Sequence, residues 1–333
     1  MNSAIVVNNS FELSWSWTAD HLHQIWRQQG PVQLVRLGHE DTSAAHQALD
    51  DADQVTRLVC FGTPFTETSL RAMSGLRELA APVENSLRSQ LTEVGIRLIE
   101  HQSEGFWGQS VAEFALGLTI CGLRRIPQTH HNILTDLSDW DYGHPEGVGR
   151  SGQRGHQFGD DGRFSNGTIQ GKRVRIVGAG NIGSRYADFC HHLGADVAIW
   201  DPFASEPSFH RAGARREHFL ERLVQDAEIF APMVPLTPET EGLVPAAQIR
   251  ALPEGCLVVM ATRARICDCN TLYERVLNDE LALAADVFDH EPLELGHPLL
   301  GRLNVVHTPH NAGRTKEANQ RYAEVLAEQF NPV

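Results

Sequence analysis

Three short segments in the last quarter of the chain carry side chains suited to anion binding and proton transfer. They contain Arg263, the carboxylates of Asp286 and Glu291, and His310. A guanidinium presents a planar fork of N–H donors that matches a carboxylate, and it can polarise a neighbouring carbonyl group. An imidazole gives and takes protons near neutral pH, and a carboxylate beside it fixes its orientation and stabilises its protonated form. These residue types are suited to binding a carboxylate and to moving a proton.

Each of these residues also has an ordinary structural interpretation. Arg263 could pair with a surface acid, since Arg265 nearby shows that arginine is not rare in this segment. Glu291 precedes Pro292 in a loop and could be simply solvated. His310 is one of 17 histidines, but its Thr-Pro-His-x-x-Gly context favours a functional role.

A second group of residues is suited to holding a dinucleotide. Residues 174–183 form an apolar strand that runs into a G-x-G-x-x-G motif and then into a helix. Gly178 allows the tight turn, Gly180 lets a pyrophosphate approach the backbone, and Gly183 lets the helix pack against the strand. The N–H groups at the start of that helix can bind the pyrophosphate. The alternative is a glycine-rich turn without a ligand.

The acid that follows the next predicted strand refines this expectation. Asp201 lies at the end of the strand predicted at 197–200. A carboxylate at this position accepts hydrogen bonds from both ribose hydroxyls and repels a 2′-phosphate, so it favours NAD over NADP. The alternative is a turn acid before Pro202.

The elements that must position these residues are short strands alternating with helices. In the first hundred residues, strands are predicted at 5–7, 33–37, 58–61 and 96–99, with helices at 21–29, 68–73 and 87–94. After Gly171, strands are predicted at 174–177, 197–200, 229–234, 257–261, 283–287 and 305–307. This alternation predicts two α/β domains with parallel sheets. Ligands bind beyond the carboxyl ends of such strands, so we expect Arg263, Asp286 and His310 to converge there.

The region between the two halves differs from both. Apolar residues at helical spacing predict one long helix at about 109–136. The following stretch, 140–170, contains eight glycines and almost no aliphatic residues. It predicts a long surface loop.

The amino-acid composition indicates which classes of binding partner are unfavourable. The formal net charge of -14, from 42 acids against 28 Lys and Arg, disfavours nucleic acid and anionic membranes. The six cysteines form no CxxC pair and no metal-ligand spacing such as HExxH occurs, so we expect reduced thiols and no metal. The first ten residues do not read as a signal peptide, and the longest apolar run is too short to span a bilayer. A cytoplasmic protein is expected.

Taken together, the motifs resemble the D-isomer-specific 2-hydroxy acid dehydrogenase family. The resemblance includes Pro235-Leu-Thr-Pro-Glu-Thr240 and Val111-Ala-Glu113, and it runs in order over roughly 109–313. It implies a doubly wound Rossmann dinucleotide-binding domain, 105–310, inserted into a flavodoxin-like substrate domain formed by 1–104 and 311–333. It also implies a homodimer, with the apolar helix from Val111 as a dimer surface.

The resemblance implies a function and a set of site residues. We expect an NAD-dependent oxidoreductase that moves a hydride between NAD(H) and C2 of a small 2-hydroxy or 2-keto acid of the D series. Arg263 would bind the substrate carboxylate, His310 would be the general acid and base, and Glu291 would orient it. The expected cofactor contacts are Gly178, Gly180, Asn181, Ile182, Gly183, Asp201, Val234, Pro235, Thr240, Ala261, Thr262, Asp286 and Gly313, with Asp286 meeting the nicotinamide carboxamide.

Two departures from the family pattern leave the substrate open. Pro82 stands where a glycine is common in the loop that binds the substrate carboxylate, and proline has no N–H to donate. The backbone amide of Val83 is the expected replacement. Met260 stands where the family has an asparagine. Both favour an alternative, an NAD(H)-sensing protein with little turnover. An oxidoreductase acting on formate or phosphite is a further rival, although formate chemistry requires no acid–base group.

Overall fold

The computed structural model describes residues 2–99, 107–140 and 161–331. The chain divides into two compact units, Met1–Trp107 with Arg314–Val333, and Gly108–Gly313. The bounds expected from the sequence differ from these by three residues at each junction. The fold class, a two-domain α/β protein with parallel sheets and a Rossmann domain, is confirmed.

The first unit is built on a five-stranded parallel sheet. Its strands are β1 (Asn2–Asn8), β2 (Val32–Leu37), β3 (Val55–Phe61), β4 (Glu78–Ala80) and β5 (Arg97–Leu98). Its helices are α1 (Asn9–Glu12), α2 (Thr18–Arg27), α3 (Glu67–Ala72), α4 (Asn85–Glu93) and, after the second unit, α12 (Lys316–Glu328). The strand order β2-β1-β3-β4-β5 is the flavodoxin-like order.

Both faces of this sheet are covered, as parallel sheets require. On β1, Ala4 and Val6 pack into one apolar cluster while Ile5 and Val7 pack into another on the opposite face. The C-terminal helix α12 supplies part of the second cluster and packs against α2. Asn319 on α12 accepts the Trp17 N–H at 3.1 Å. The chain therefore returns to its first unit at the end.

The second unit is built on a seven-stranded parallel sheet. Its strands are β6 (Arg173–Val177), β7 (Asp196–Trp200), β8 (Arg215–Glu217), β9 (Ile229–Pro232), β10 (Leu257–Met260), β11 (Ala282–Ala285) and β12 (Val305–His307). Its helices are α5 (Gly108–Arg124), α6 (Ile126–Asn132), α7 (Asn181–His192), α8 (Glu206–Arg211), α9 (Leu220–Val224), α10 (Ala246–Ala251) and α11 (Cys269–Leu277). The order β8-β7-β6-β9-β10-β11 is the dinucleotide-binding order 3-2-1-4-5-6, with β12 added at one edge.

The long helix expected at about 109–136 is wrong in one respect, because two helices occupy this region. The break falls at Arg125, whose φ is 53°. Pro127 stands in the first turn of α6, and its ring would clash with the carbonyl four residues earlier in a continuous helix. The apolar spacing correctly predicts helix on both sides of Arg125, but it carries no information about this steric break.

The glycine-rich stretch expected to form a loop at 140–170 lies mostly outside the described residues. Its described end packs on the second unit, since Phe164 and Ile169 are buried and the Ser165 N–H donates to the Gly255 carbonyl at 2.7 Å. Within 2–99, 107–140 and 161–331, no helix combines the length and the apolar character needed to cross a membrane.

Candidate active site

The turn between β6 and α7 shows why three glycines stand there. Gly178 has a φ of 101°, and a Cβ on it would lie 2.6 Å from the Val234 Cγ1 atom. A Cβ on Gly183 would lie 2.1 Å from the Gly178 carbonyl oxygen, so any side chain would push the helix off the strand. At Gly180 no heavy atom lies within 4 Å of the Cβ position. The turn is thus closed beneath and open above, as a pyrophosphate would need.

The open side of this turn faces the start of a full-length helix. Helix α7 has 12 residues and begins at Asn181, with Ile182 and Gly183 completing its first turn. Backbone N–H groups in a first helical turn have no partner within the helix, and the helix dipole places partial positive charge there. A pyrophosphate can be held at this position without a lysine.

Asp201 lies at the end of β7, beside the same turn. One carboxylate oxygen accepts the Ala179 N–H at 2.8 Å, and the other accepts the N–H groups of Phe203 and Ala204 at 2.9 Å each. The sequence predicts Asp201 as a ribose ligand. The structure adds that this carboxylate ties the glycine turn to the next strand, while the oxygen that accepts the Ala179 N–H keeps a second lone pair for a ribose hydroxyl.

Five further expected cofactor contacts follow the carboxyl ends of β9 and β10, namely Val234, Pro235, Thr240, Ala261 and Thr262. The Thr240 hydroxyl donates to the Pro235 carbonyl at 2.5 Å and closes the turn that follows Val234. The Thr262 hydroxyl donates to the Pro232 carbonyl at 3.1 Å, which joins the end of β10 to that of β9. Ala261 is buried beside Thr262. These residues form a wall next to the glycine turn.

The structure brings His310 and Glu291 into direct contact. The His310 Nδ1 atom lies 2.7 Å from Glu291 Oε2, and both side chains are about one-third exposed, at 37% and 33%. The second Glu291 oxygen accepts the Phe288 N–H at 2.8 Å. The carboxylate is therefore held from one side by the backbone and presents its other oxygen to the imidazole.

Asp286 supports the loop that carries His310. Its carboxylate is fully buried and accepts the Thr308 hydroxyl at 2.6 Å, the Asn311 N–H at 3.0 Å and the Ala312 N–H at 2.8 Å. All three donors flank His310 in the sequence. The expected contact of Asp286 with a nicotinamide remains a prediction, while its hydrogen bonds give it a clear role in fixing this loop.

Arg263 follows β10, the strand next to β11, and its side chain is exposed. Its Nη1 donates to the Thr262 carbonyl at 2.7 Å. Arg265 projects elsewhere and pairs with Glu241 at 3.4 Å. The structure thus places Arg263 at the same edge of the sheet as the Glu291–His310 pair, and no hydrogen bond joins it to that pair among the described residues.

The structure also shows the surroundings of Met260 and Pro82, the two departures from the family pattern. Met260 is buried at the end of β10, and its carbonyl accepts the Asp286 N–H at 2.8 Å. In the first unit, Pro82 is exposed two residues after the end of β4. Val83 follows it and packs in part against the apolar cluster beneath. Gly313, also an expected contact, is the last residue of the second unit.

Two residues near this site were missed in the sequence. Thr308 stands within the Thr-Pro-His context, so its position gave a signal that was not used. Tyr273 on α11 donates its hydroxyl to Asp289 Oδ1 at 3.0 Å, two residues before Glu291. Nothing in the local pattern of a helix indicates such a contact.

The sheet order, the glycine turn and the acid after the second strand define a dinucleotide-binding domain. Residues 147–312 match the family described as D-isomer specific 2-hydroxyacid dehydrogenase, NAD binding domain. The chain belongs to this family, and its second unit is an NAD-binding domain. The expectations for the family and for the cofactor are confirmed.

Two curated relatives illustrate the range of named activities. The D-3-phosphoglycerate dehydrogenase of Archaeoglobus fulgidus is 30% identical over 220 residues, which is 66% of this chain and 38% of that protein. The glyoxylate reductase of Aeropyrum pernix is 32% identical over 161 residues, 48% of each. The chain spans about half or less of the length of these curated relatives.

The solved structures agree in fold over nearly the whole chain. The NAD complex of the D-isomer specific 2-hydroxyacid dehydrogenase from Lactobacillus delbrueckii ssp. bulgaricus has a TM-score of 0.70 at 18% identity, covering 98% of this chain and 95% of that one. At this identity the likeness shows the fold alone.

Proposed function

We propose that the protein moves a hydride between NAD(H) and C2 of a small 2-hydroxy or 2-keto acid of the D series. The observation that carries the proposal is the Glu291–His310 pair at 2.7 Å, held above the buried Asp286 at the carboxyl edge of an NAD-binding sheet. A carboxylate-paired imidazole at this edge supports acid–base chemistry in addition to cofactor binding. It is the arrangement that moves a proton to or from an oxygen on the carbon that exchanges hydride.

The position of the contact assigns the two imidazole nitrogens. Nδ1 of His310 is engaged by Glu291, so Nε2 is the nitrogen left to meet substrate. In reduction, His310 donates its Nε2 proton to the C2 carbonyl oxygen as C2 receives the hydride, giving the hydroxy acid. In oxidation, His310 takes the hydroxyl proton. Glu291 keeps the imidazole oriented in both directions. Bound NAD(H) supplies or accepts the hydride.

Arg263 is the proposed ligand of the substrate carboxylate. One of the five Arg263 donors is used by the Thr262 carbonyl, which leaves the guanidinium able to pair with a carboxylate. The backbone N–H of Val83, expected from the sequence as the replacement for the N–H that Pro82 lacks, stays a prediction.

The experiment compares wild type with the His310→Ala variant on a panel of 2-keto acids of increasing side-chain size, following NADH consumption. We expect wild type to reduce at least one acid and His310→Ala to lose roughly 10²–10⁴-fold in kcat, the range for general acid–base catalysis. NADH affinity should be retained.

The panel also tests the alternative of an NAD(H)-sensing protein. Absence of turnover on every acid, together with tight NADH binding, would favour the sensor. Turnover by His310→Ala equal to wild type would remove His310 from the mechanism.

We further propose a cytoplasmic location. All six cysteines are unpaired, and five of them are buried. Such usage is typical of proteins from a reducing compartment.

A further inference from the structure

The orientation of Glu291 depends on the segment that precedes it. This segment leaves the sheet at Asp286, and the Phe288 N–H donates to Glu291 Oε1 at 2.8 Å. The carboxylate therefore faces His310 only if the Phe288 peptide keeps its position. The hydrogen bonds of Asp286 reach the His310 loop and not this peptide. Another contact must therefore fix the middle of the segment between Asp286 and Glu291.

Tyr273, on helix α11, makes this contact through Asp289. Its hydroxyl donates to Asp289 Oδ1 at 3.0 Å, and the other Asp289 oxygen lies 2.9 Å from the His290 Nδ1 atom. Asp289 directly follows Phe288, so a fixed Asp289 fixes the peptide that orients Glu291. The ring of Tyr273 also meets His297 edge-on, with centroids 6.4 Å apart.

The helix that carries Tyr273 is itself firmly placed. Asp268 caps its start by accepting the Thr271 N–H at 2.9 Å, and Leu272 and Val276 are fully buried in the core of the second unit. Burial raises the pKa of Tyr273, so its hydroxyl stays protonated and remains a donor. Although burial acts against it, hydrogen bonds from His290 and Tyr273 keep the pKa of Asp289 below its usual range. A neutral donor thus faces an ionised acceptor, which makes a strong hydrogen bond.

We propose that Tyr273 is a positioning residue, which holds Asp289 and thereby keeps Glu291 aligned with His310. Its catalytic consequence rests on the function proposed above. Tyr273 contacts neither reacting atom nor cofactor in this scheme, so its loss changes proton transfer and leaves binding in place. The sequence contains no sign of this coupling, because Tyr273 and Glu291 belong to different elements.

The first test is the kinetics of Tyr273→Phe, which removes only the hydroxyl. We expect kcat to fall by about tenfold, because small misplacements of an acid–base pair are costly, while KM for NADH and for the keto acid stays near wild type. The matched control is Tyr186→Phe. Tyr186 is a fully buried tyrosine of the same unit whose hydroxyl lies 2.8 Å from Thr119 Oγ1. The control should keep wild-type kcat.

The second test observes the hydrogen bond between His310 and Glu291 directly and requires no enzymatic turnover. A proton shared between His310 Nδ1 and a carboxylate gives a downfield proton NMR signal, which is assigned by its absence in His310→Ala and Glu291→Gln. This signal should broaden or vanish in Tyr273→Phe and persist in Tyr186→Phe. If Tyr273→Phe fails to fold, Asp289→Asn weakens the same acceptor and should act in the same direction.

The outcomes separate the two proposals. A wild-type signal and wild-type kcat in Tyr273→Phe would overturn the positioning role and leave the proposed function standing. Equal losses in Tyr273→Phe and Tyr186→Phe would also overturn it, since the effect would then be general destabilisation. Loss of the signal only in Tyr273→Phe, in a protein that reduces no keto acid, would support positioning and refute the function.

Discussion

His310 adopts a backbone conformation that residues with side chains rarely take. Its φ is 52°, in the left-handed region, which costs of order 1 kcal/mol for a residue other than glycine. The three hydrogen bonds from its neighbours to the buried Asp286 carboxylate hold the loop in this shape. The backbone strain and the hydrogen bonds that support it thus coincide at the proposed acid–base residue.

At Arg263, shape matters as much as charge. The Arg263→Lys variant keeps the charge and loses the planar fork, so we expect kcat/KM for the keto acid to fall by about 10–100-fold, equivalent to one charged hydrogen bond of about 1.5–3 kcal/mol. Steady-state kinetics will measure it. Arg265→Lys is the matched control, because Arg265 pairs with Glu241 at the surface. Unchanged kinetics in Arg263→Lys would refute its carboxylate role.

At Asp201, one carboxylate is expected to select the cofactor. Asp201→Ala removes the charge that repels a 2′-phosphate, so the ratio of kcat/KM with NADH to that with NADPH should fall. The variant also loses three backbone hydrogen bonds, and we expect about 1–2 kcal/mol of destabilisation. Cofactor preference is compared at a temperature where both proteins are folded. An unaltered preference would contradict the ribose assignment.

At the scale of elements, strand β6 is fixed by a buried arginine. The Arg175 side chain is 2% exposed and contacts Asp226 at 2.6 Å and Asp196 at 3.0 Å. These acids anchor β6 to the start of β7 and to the turn before β9. The strand that leads into the glycine turn is thus held at its base by charge and along its length by apolar packing.

This anchor makes a prediction about stability. Asp226→Asn leaves the buried guanidinium with weaker pairing, and because Asp226 is itself half exposed and Asp196 remains, we expect a loss of about 1–2 kcal/mol. Thermal unfolding at neutral pH should show a Tm lower by roughly 3–6 °C. Glu241→Gln, which removes an exposed pair with Arg265, is the control and should shift Tm very little.

The Arg175–Asp226 ion pair also determines how the Tm difference between wild type and Asp226→Asn depends on pH. The hydrogen bond from Arg175 lowers the pKa of Asp226 in the folded protein. A lowered folded pKa means that the stabilisation is complete above the unfolded value near 4 and is lost as pH falls through the folded value. The Tm difference between wild type and Asp226→Asn should therefore shrink as pH drops below about 4. A difference independent of pH would contradict the ion pair.

At the scale of the whole molecule, the surface after α5 is unusually apolar. Val111, Ala112, Ala115 and Leu118 of α5 are buried within their own unit, so the helix expected to form a dimer surface is mostly covered. Exposed apolar side chains continue beyond it, at Ile126, Ile133, Leu134, Leu137 and Trp140. Exposed apolar side chains concentrated in one segment typically mark an interface.

We therefore expect a homodimer that uses residues 126–140. The double variant Leu134→Glu with Leu137→Glu should be monomeric by light scattering coupled to size exclusion, because charges cannot be buried without partners. Leu295→Glu is the control, since Leu295 is fully exposed away from this segment. A wild-type monomer, or a double variant that still dimerises, would contradict the assignment.

Sequence reasoning recovered the longer strands because each is an apolar run whose character is local. It missed β4 and β8, which are three residues long and carry charges. In β4, Glu78 is buried because Arg97 and Asn331 satisfy its carboxylate, at 3.0 and 2.8 Å. From the sequence alone, an acid such as Glu78 is assigned to the surface, because the partners that allow its burial are distant in the sequence.

The sequence by itself determined the nucleotide turn, the acid after the second strand and the acid–base residue types, since neighbouring residues impose these features through the turn and the strand ends. Only the tertiary structure decided that Glu291 touches His310, that Asp286 holds the loop between Thr308 and Ala312, and that Tyr273 reaches Asp289. These contacts join residues 16 to 26 positions apart. They depend on strand register and on where each loop leaves the sheet, and neither is encoded in any short stretch of sequence.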